Sequence, residues 1–370
     1  MNAPRAHGLA GQRGVGLMEV MVSVVIGLLL VLVIYQVYEI SEGQKRTITS
    51  GSDAQQNASY GLYVLGRDIS MAGNGIASSA VSLDKCAMLR PIPVLIEPGA
   101  NDNDPDKITV LYGGSSSLST AVPFRAPATT AAQYVVAAPI AFSPNDVIAA
   151  VKAPPSPICT LSVVTAVSGL PNPNGEATLT QTPVPGSPAA SYNAPDVVIN
   201  LGPAGSIGRI EYTVDAVDHV LRSQNLLPDP AAAASPSPII SDVVNLKAQY
   251  GVDANCDGVL VWKDATGPWS FANVPTLTLP AAAPFCVAGV PSLRQIQAIR
   301  IAIVTRSSQF EKEVVTPRLP LAMPAGRLGL FCDPAPTCAV SMTLSATDQH
   351  YRYKVLETSV PLRNAMWNGS

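Results

Sequence analysis

The stretch Gln12-Arg13-Gly14-Val15-Gly16-Leu17-Met18-Glu19-Val20-Met21-Val22 decides how the front of this chain is built. It joins a short basic, glycine-containing segment, MNAPRAHGLAGQRG, to an uncharged run from Val20 to Tyr38. At about 1.5 Å rise per residue, that run makes about 28 Å of helix, the thickness of a bilayer's hydrocarbon core. An ordinary secretory signal is cut after its apolar region. Here the polar segment comes first, so cleavage after Gly14 leaves the apolar run in the product. Arg5 and Arg13 precede the run and predict a cytoplasmic N-terminus, with everything after about residue 40 on the far side. Glu19 stands at the front of the run. A charge deep in lipid costs about 2.5–3.5 kcal/mol on insertion scales and asks for a partner. Cleavage after Gly14 would supply one, the amino group of Val15 on a neighbouring copy or another subunit. Such a pair in low dielectric fixes the register of one helix against the next. The blander alternative is a signal anchor with an incidental acidic residue.

Beyond the apolar run, Ala58, Leu62, Leu65 and Ile69 recur at helical spacing and predict an amphipathic continuation, with Gly51 a weak point and Arg67 and Asp68 off the apolar face. Met71-Ala72-Gly73-Asn74-Gly75 is a stop signal, because Gly and Asn accept the left-handed cap. From residue 76 the pattern changes to short strands between Pro/Ala/Ser loops. Strands are predicted at Lys107–Tyr112, Asp146–Val151, Leu161–Val167, Ala177–Thr180, Asp196–Asn200 and Ile207–Val214. Residues 226–238 read as a low-complexity loop. A second group follows at Val243–Val252, Val259–Trp262, Ile296–Arg306 and Tyr351–Val360. Within it Ile299, Ile301 and Ile303 share one face, and Arg300 and Thr305 are expected to face outward.

The composition excludes some functions. The net charge is −3, and loss of Arg5 and Arg13 with residues 1–14 would make it −5. No basic block or stripe points to nucleic acid. None of the six cysteines forms a C-x-x-C pair, and an even count in an exported chain favours disulfides. Cys332 and Cys338 flank a short turn-rich loop and are the best local pair; Cys256–Cys286 and Cys86–Cys159 follow by order along the chain.

Asp253, Asn255, Asp257 and Asp264 fall at positions 1, 3, 5 and 12 of a calcium-loop spacing, with Gly258 at position 6. Asp replaces the usual bidentate Glu at position 12, and the flanks read as strands. A β-hairpin turn needs the same residue types and is the preferred reading. Calcium is the one cofactor that the spacing allows. The acidic segment Asn101–Asp106 reads as a solvated loop. His7, His219 and His350 belong to no catalytic constellation, and no G-x-S-x-G, P-loop or H-E-x-x-H occurs, so no enzyme activity is expected.

The segment Gln12–Val22 resembles the leader of type IV prepilins and type II secretion pseudopilins. The resemblance implies that a prepilin peptidase of the inner membrane cuts after Gly14 and methylates Val15, and that Glu19, as fifth mature residue, sets subunit register. Val15-Gly16 departs from the more usual Phe-Thr. Apart from Pro4 the first 90 residues lack the helix-kinking proline of many major pilins, which leans towards a minor subunit. Three further segments resemble PilW-type minor pilins: Arg67–Gly73, Asn245–Asp253 with Ala298–Ser307, and Leu362-Arg363-Asn364. Residues 76–195 match nothing recognisable. The resemblance implies an α+β, type IV pilin-like fold, with a long N-terminal helix packed on an antiparallel β-sheet domain. Its parts would be a leader (1–14), a transmembrane and filament-core helix (15–40), an amphipathic continuation (41–75) and a periplasmic β-rich domain (76–370). It further implies a role in type IV pilus assembly, in a tip or priming complex with other minor pilins, the major pilin and a tip adhesin. The protein would sit in the inner membrane before assembly and at the cell surface after it. A J-type minor pseudopilin of type II secretion is the alternative.

Overall fold

The structure, a computed structural model, describes residues 16–76, 83, 92–114, 121–125, 132–153, 158–168, 175–188, 190–227, 235–280, 284–321, 323–333 and 337–366. Helix α1 runs from Leu17 to Met71, passing through Gly51 without a break. It stops where the sequence predicts, with Gly73 and Gly75 at positive φ. The strands follow in chain order: β1 (Val94–Glu97), β2 (Lys107–Tyr112), β3 (Val122–Pro123), β4 (Gln133–Val136), β5 (Asp146–Val151) and β6 (Cys159–Val167). Then come β7 (Ala177–Pro183), β8 (Val197–Pro203), β9 (Gly208–Asp215), β10 (Val220–Asn225), β11 (Ser237–Ile240) and β12 (Val243–Val252). Last are β13 (Val261–Lys263), β14 (Ile296–Arg306), β15 (Arg318–Leu319), β16 (Arg327–Leu330), β17 (Val340–Thr343), β18 (Tyr353–Pro361) and the short helix α2 (Arg363–Met366). The class is α+β, one long N-terminal helix with sheets whose strand pairs are antiparallel except β15 with β16. Strand β11 takes up the end of what reads in sequence as the 226–238 loop.

The chain divides into two compact units, Met1–Ser52 and Asp53–Ser370. In the first, the helical side chains of residues 17–40 are almost all exposed. In the second, Ala58, Leu65 and Ile69 are fully buried, and Leu62 packs against the same core. Complete burial of a Leu or Ile side chain stabilises by about 1.5–3 kcal/mol, so this stripe holds the helix to the sheet. Gly61 permits close approach: a Cβ there would lie 2.6 Å from Ile240 Cδ1 and 3.0 Å from Ile303 Cδ1. Asp68 is not off this face, as the sequence pattern suggested, but 3% exposed. It stands three residues after Leu65, which puts it on the same side of a 3.6-residue helix.

The helix packs on a four-stranded sheet, β13-β12-β14-β18, and a five-stranded sheet, β1-β2-β9-β10-β11. Strand β14 pairs with β12 and β18 over most of its length and is buried on both faces. Ile299, Ile301 and Ile303 face the helix, while Ala302 and Val304 lie under β16 and β17. Thr305 does not face outward. Strand side chains alternate with a period of two, so residue 305 shares the face of 299, 301 and 303; its Oγ1 donates to the Ala54 carbonyl at 2.8 Å.

The loop at 101–106 is likewise not simply solvated. Asp106 is buried and pairs with Lys247 Nζ at 2.9 Å. Asn245 Nδ2 donates to the Asp102 carbonyl, and the Asp102 carboxylate accepts from the Ser341 amide. The loop thus ties β12 to β17 through polar contacts.

Residues 113–207 form an excursion. Strands β2 and β9 pair directly, from Ile108↔Tyr212 to Tyr112↔Gly208, so everything between Tyr112 and Gly208 leaves and returns at one point of a hairpin. Inside it lies a sheet of order β3-β8-β5-β6-β7-β4. A bridge between Phe124 and Val136 joins β4 back to β3 and closes the sheet into a barrel; the amides of Arg125 and Ala137 bond to the carbonyls of Val135 and Pro123. Its interior is packed by the rings of Phe124, Tyr134 and Tyr192, with centroids 5.2–5.9 Å apart, and by Ile148, Leu179 and Val198.

Candidate functional site

The exposed helical segment is the first candidate. Glu19 sits in the first turn of α1, where its carboxylate complements the positive end of the helix dipole. Around it Leu17, Met18, Val20, Met21 and Val22 are all exposed. The helix is long and apolar enough to cross a membrane, and none of its most apolar window is buried. A single carboxylate on such a cylinder can pair with a cation presented by another helix, while the surrounding side chains pack against lipid or protein. Gly14 and Val15, the predicted cleavage site, lie outside the described residues.

A second feature holds the other half of the helix. The Asp68 carboxylate accepts a hydrogen bond from the Tyr212 hydroxyl of β9 and pairs with Arg67 at 2.7 Å. Tyr212 is buried, and burial followed by the neighbouring carboxylate pushes its hydroxyl well above the usual phenol range, so it stays a donor. From the helix, Asn57 Nδ2 donates to the Ser241 carbonyl and to Asp242 at the β11–β12 corner. Asn364 Nδ2 donates to the carbonyls of Met71 and Ala72, satisfying two of the groups that a helix C-terminus leaves open. Of these contacts only Leu362-Arg363-Asn364 and Arg67-Asp68 lie in segments singled out by resemblance; the Asp68–Tyr212 pair spans 144 residues and left no local signal.

The remaining candidates are placed as follows. Asp253 closes the β12–β13 hairpin, accepting from the amides of Asp257 and Gly258 at 3.1 and 3.0 Å, and Asp257 accepts from the Val259 amide. Asp264 instead accepts from Gln249 Nε2, at the end of the β12–β13 hairpin away from the loop that holds Asn255 and Asp257. Among the described residues no group of three or more His, Cys, Asp or Glu is set to hold a metal. Cys256 is bonded to Cys286 and Cys332 to Cys338. Cys159 is disulfide-bonded, and Cys86 lies outside the described residues. His219 sits at positive φ in the β9–β10 turn, near Arg306, Asp242, Asp348 and Asp215; burial first, then Arg306, lowers its pKa from the ordinary value. His350 stacks on Phe310, and its Nδ1 lies 2.8 Å from the Glu311 carbonyl.

The described residues thus combine one long apolar helix with β-sheets, two of which hold its second part. In the C-terminal part, residues 211–364 match the family model PilW, type IV pilus-assembly protein W. That stretch begins inside β9 at the residue before Tyr212 and ends at Asn364, so it contains the sheet side of the helix clamp. The family match supports a role in type IV pilus assembly. Among solved structures the chain is similar to the type IV-like pilin TTHA1219 from Thermus thermophilus, at 10% identity over 84% of this chain and 96% of that one, with a TM-score of 0.34. No curated protein matches the chain.

Proposed function

We propose that the protein is a minor pilin, a structural subunit without catalytic activity, that joins other minor pilins in a tip or priming complex of a type IV pilus. The observation that carries this reading is the uncovered apolar segment of α1, with Glu19 as its one acidic residue before Glu39, on a chain whose C-terminal part matches a pilus-assembly family. In this reading a prepilin peptidase cuts after Gly14, and Glu19 pairs with the methylated amino terminus of Val15 on a neighbouring subunit. The subunit waits in the inner membrane with its β domain in the periplasm. After assembly it contacts the major pilin and other minor pilins, and a tip adhesin where one is present. Calcium at Asp253, Asn255 and Asp257 would be an accessory of the hairpin loop and has no part in assembly.

Mass spectrometry of the membrane-extracted protein tests the first step, with an N-terminus at methylated Val15 expected; intact Met1 in cells with active peptidase overturns it. Glu19→Ala tests the second. Cleavage is expected to persist while recovery in sheared pili falls at least about tenfold, the effect of leaving a terminal cation unpaired in lipid. Normal recovery removes the register role.

A further inference from the structure

Strand β18 is the outer strand of the four-stranded sheet that carries α1. It is nine residues long, whereas the other strands that end a sheet outside the barrel, β1, β11, β13, β15 and β17, have two to four. Its register against β14 runs from Tyr353 to Pro361 without a bulge. The Ser307 amide bonds to the Arg352 carbonyl and the Leu362 amide to the Gln297 carbonyl. Antiparallel pairs alternate between bonded and non-bonded residues. The even-numbered residues of β18 therefore bond β14, and the odd-numbered ones turn their N–H and C=O groups outward. Among the described residues, none bonds to the backbone of Val355, Glu357 or Ser359. Glu357 and Ser359 are exposed. Native edges are blunted by bulges, lysines, prolines or shortness. Here Lys354 and Pro361 stand only at the two ends, and the window 355–359 between them is open.

Such an edge specifies its occupant by chemistry. Outward donors and acceptors that recur every two residues, about 7 Å apart, match the spacing of another extended backbone. The side chains beside the window point the same way. Leu356 packs on the helix side and Val355 on the β16–β17 side, and each is only partly buried against its cluster. On α1, Leu62 is also partly buried, and a Cβ at Gly66 would meet only Val360, at 3.8 Å. A strand laid along β18 would cover Leu356 on one side and Val355 on the other. It would need apolar residues at two neighbouring positions there, and polar ones opposite Glu357 and Ser359. A second copy of this chain is a poor donor. Lys354 pairs with Thr305, which bonds to Ala54, while Asn364 just beyond β18 bonds to Met71 and Ala72. Strand β18 thus runs the same way as α1. Antiparallel pairing of two β18 edges would oppose their helices, which copies anchored from one side of one membrane do not permit. The other edge of the sheet, β13, is three residues long and cannot span the window.

We propose that the open edge of β18 accepts an extended strand from a different subunit of the same assembly, adding it to the sheet beside α1. The proposal rests on the pilus-assembly reading and gives the β domain its own contact, separate from Glu19. Amide hydrogen exchange of the full chain, resolved to single amides by mass spectrometry, compares the chain purified alone in detergent with the chain in sheared pili. Alone, the amides of Val355, Glu357 and Ser359 should exchange freely and those of Leu356 and Thr358 slowly. In pili the three outward amides should slow at least about tenfold, because each gains a hydrogen bond. A photo-crosslinking residue in place of Pro361 should join the chain to another subunit. Ser359→Pro removes one outward N–H and leaves the bonds to β14, since proline is tolerated on the outer side of an edge. It should lower recovery in pili at least about tenfold, while Ser359→Ala, which keeps the amide, should not; if the proline variant shows a shifted urea midpoint, the exchange comparison decides. Outward amides already protected in the chain alone, a crosslink only to a second copy, or full recovery of Ser359→Pro each overturns the proposal. Free exchange of these amides in assembled pili also overturns it and leaves the pilus reading standing. Protection with a crosslink to a secretion-system subunit would keep the edge and overturn the pilus reading. A chain found neither in pili nor in any crosslinked product overturns both.

Discussion

Tyr212→Phe removes one oxygen from the clamp between α1 and β9, and its cost can be worked from the surroundings. Tyr212 is 1% exposed and Asp68 3%, so no water replaces the lost hydrogen bond. A buried hydrogen bond to a charged acceptor contributes about 1.5–3 kcal/mol. Arg67 remains beside Asp68, but its side chain is about half exposed, and pairs with an exposed partner contribute about 0–1 kcal/mol. Loss of about 2 kcal/mol is expected. Asp68→Ala removes the same bond and strands the phenol without an acceptor, which costs about 2–3 kcal/mol. The double variant removes both halves and should fall short of the sum by about 1.5–2 kcal/mol, since neither partner is then left unsatisfied. Urea unfolding of the full chain in detergent micelles, followed through Trp262 and Trp269 fluorescence, measures all four corners. A cost for Tyr212→Phe below about 0.5 kcal/mol, or strict additivity, refutes the reasoning.

Three other outcomes follow from the same packing. Lys247→Met leaves Asp106 buried with only backbone donors and should cost about 3–5 kcal/mol in the same unfolding experiment; a cost under about 1 kcal/mol would show the pair to be solvated. Opening Cys256–Cys286, which are 30 residues apart, by Cys256→Ser/Cys286→Ser should cost about 3–4 kcal/mol from loop entropy, read as a shifted urea midpoint. His219 has a lowered pKa in the folded chain, so the unfolded chain binds its proton more readily; its contribution is fully present above about pH 6.5 and is lost as pH falls below that value. A stability profile of His219→Asn between pH 7.5 and 5 should therefore be flatter than that of the natural chain, and parallel profiles would refute it.

Local pattern and tertiary context divide the determinants of this protein cleanly. The front of the chain was legible because its signals are short-range: nineteen uncharged residues make a helix that can cross a bilayer whatever follows, and one glutamate among them is conspicuous in any fold. The strands Lys107–Tyr112, Asp146–Val151, Val243–Val252 and Ile296–Arg306 were legible to the residue, because predominantly apolar runs containing Val or Ile carry the local strand pattern. Polar strands such as β10, Val-Leu-Arg-Ser-Gln-Asn, were missed, since their strand state depends on neighbours on both sides. Asp68 and Thr305 show the limit more sharply. Both read in sequence as outward-facing because they are polar, yet a polar residue is stable on a buried face if a distant partner completes it, and Tyr212 and the Ala54 carbonyl are supplied by the tertiary fold. The barrel is the largest case. Its strands were partly visible, yet closure depends on β4 meeting β3 and β7 together, and those pairings join residues some fifty positions apart. Sequence alone determined that the chain has an apolar helix bearing Glu19, because that property is local; the structure decided what grips the helix's other half and which faces remain open, because those properties belong to contacts between residues far apart in the chain.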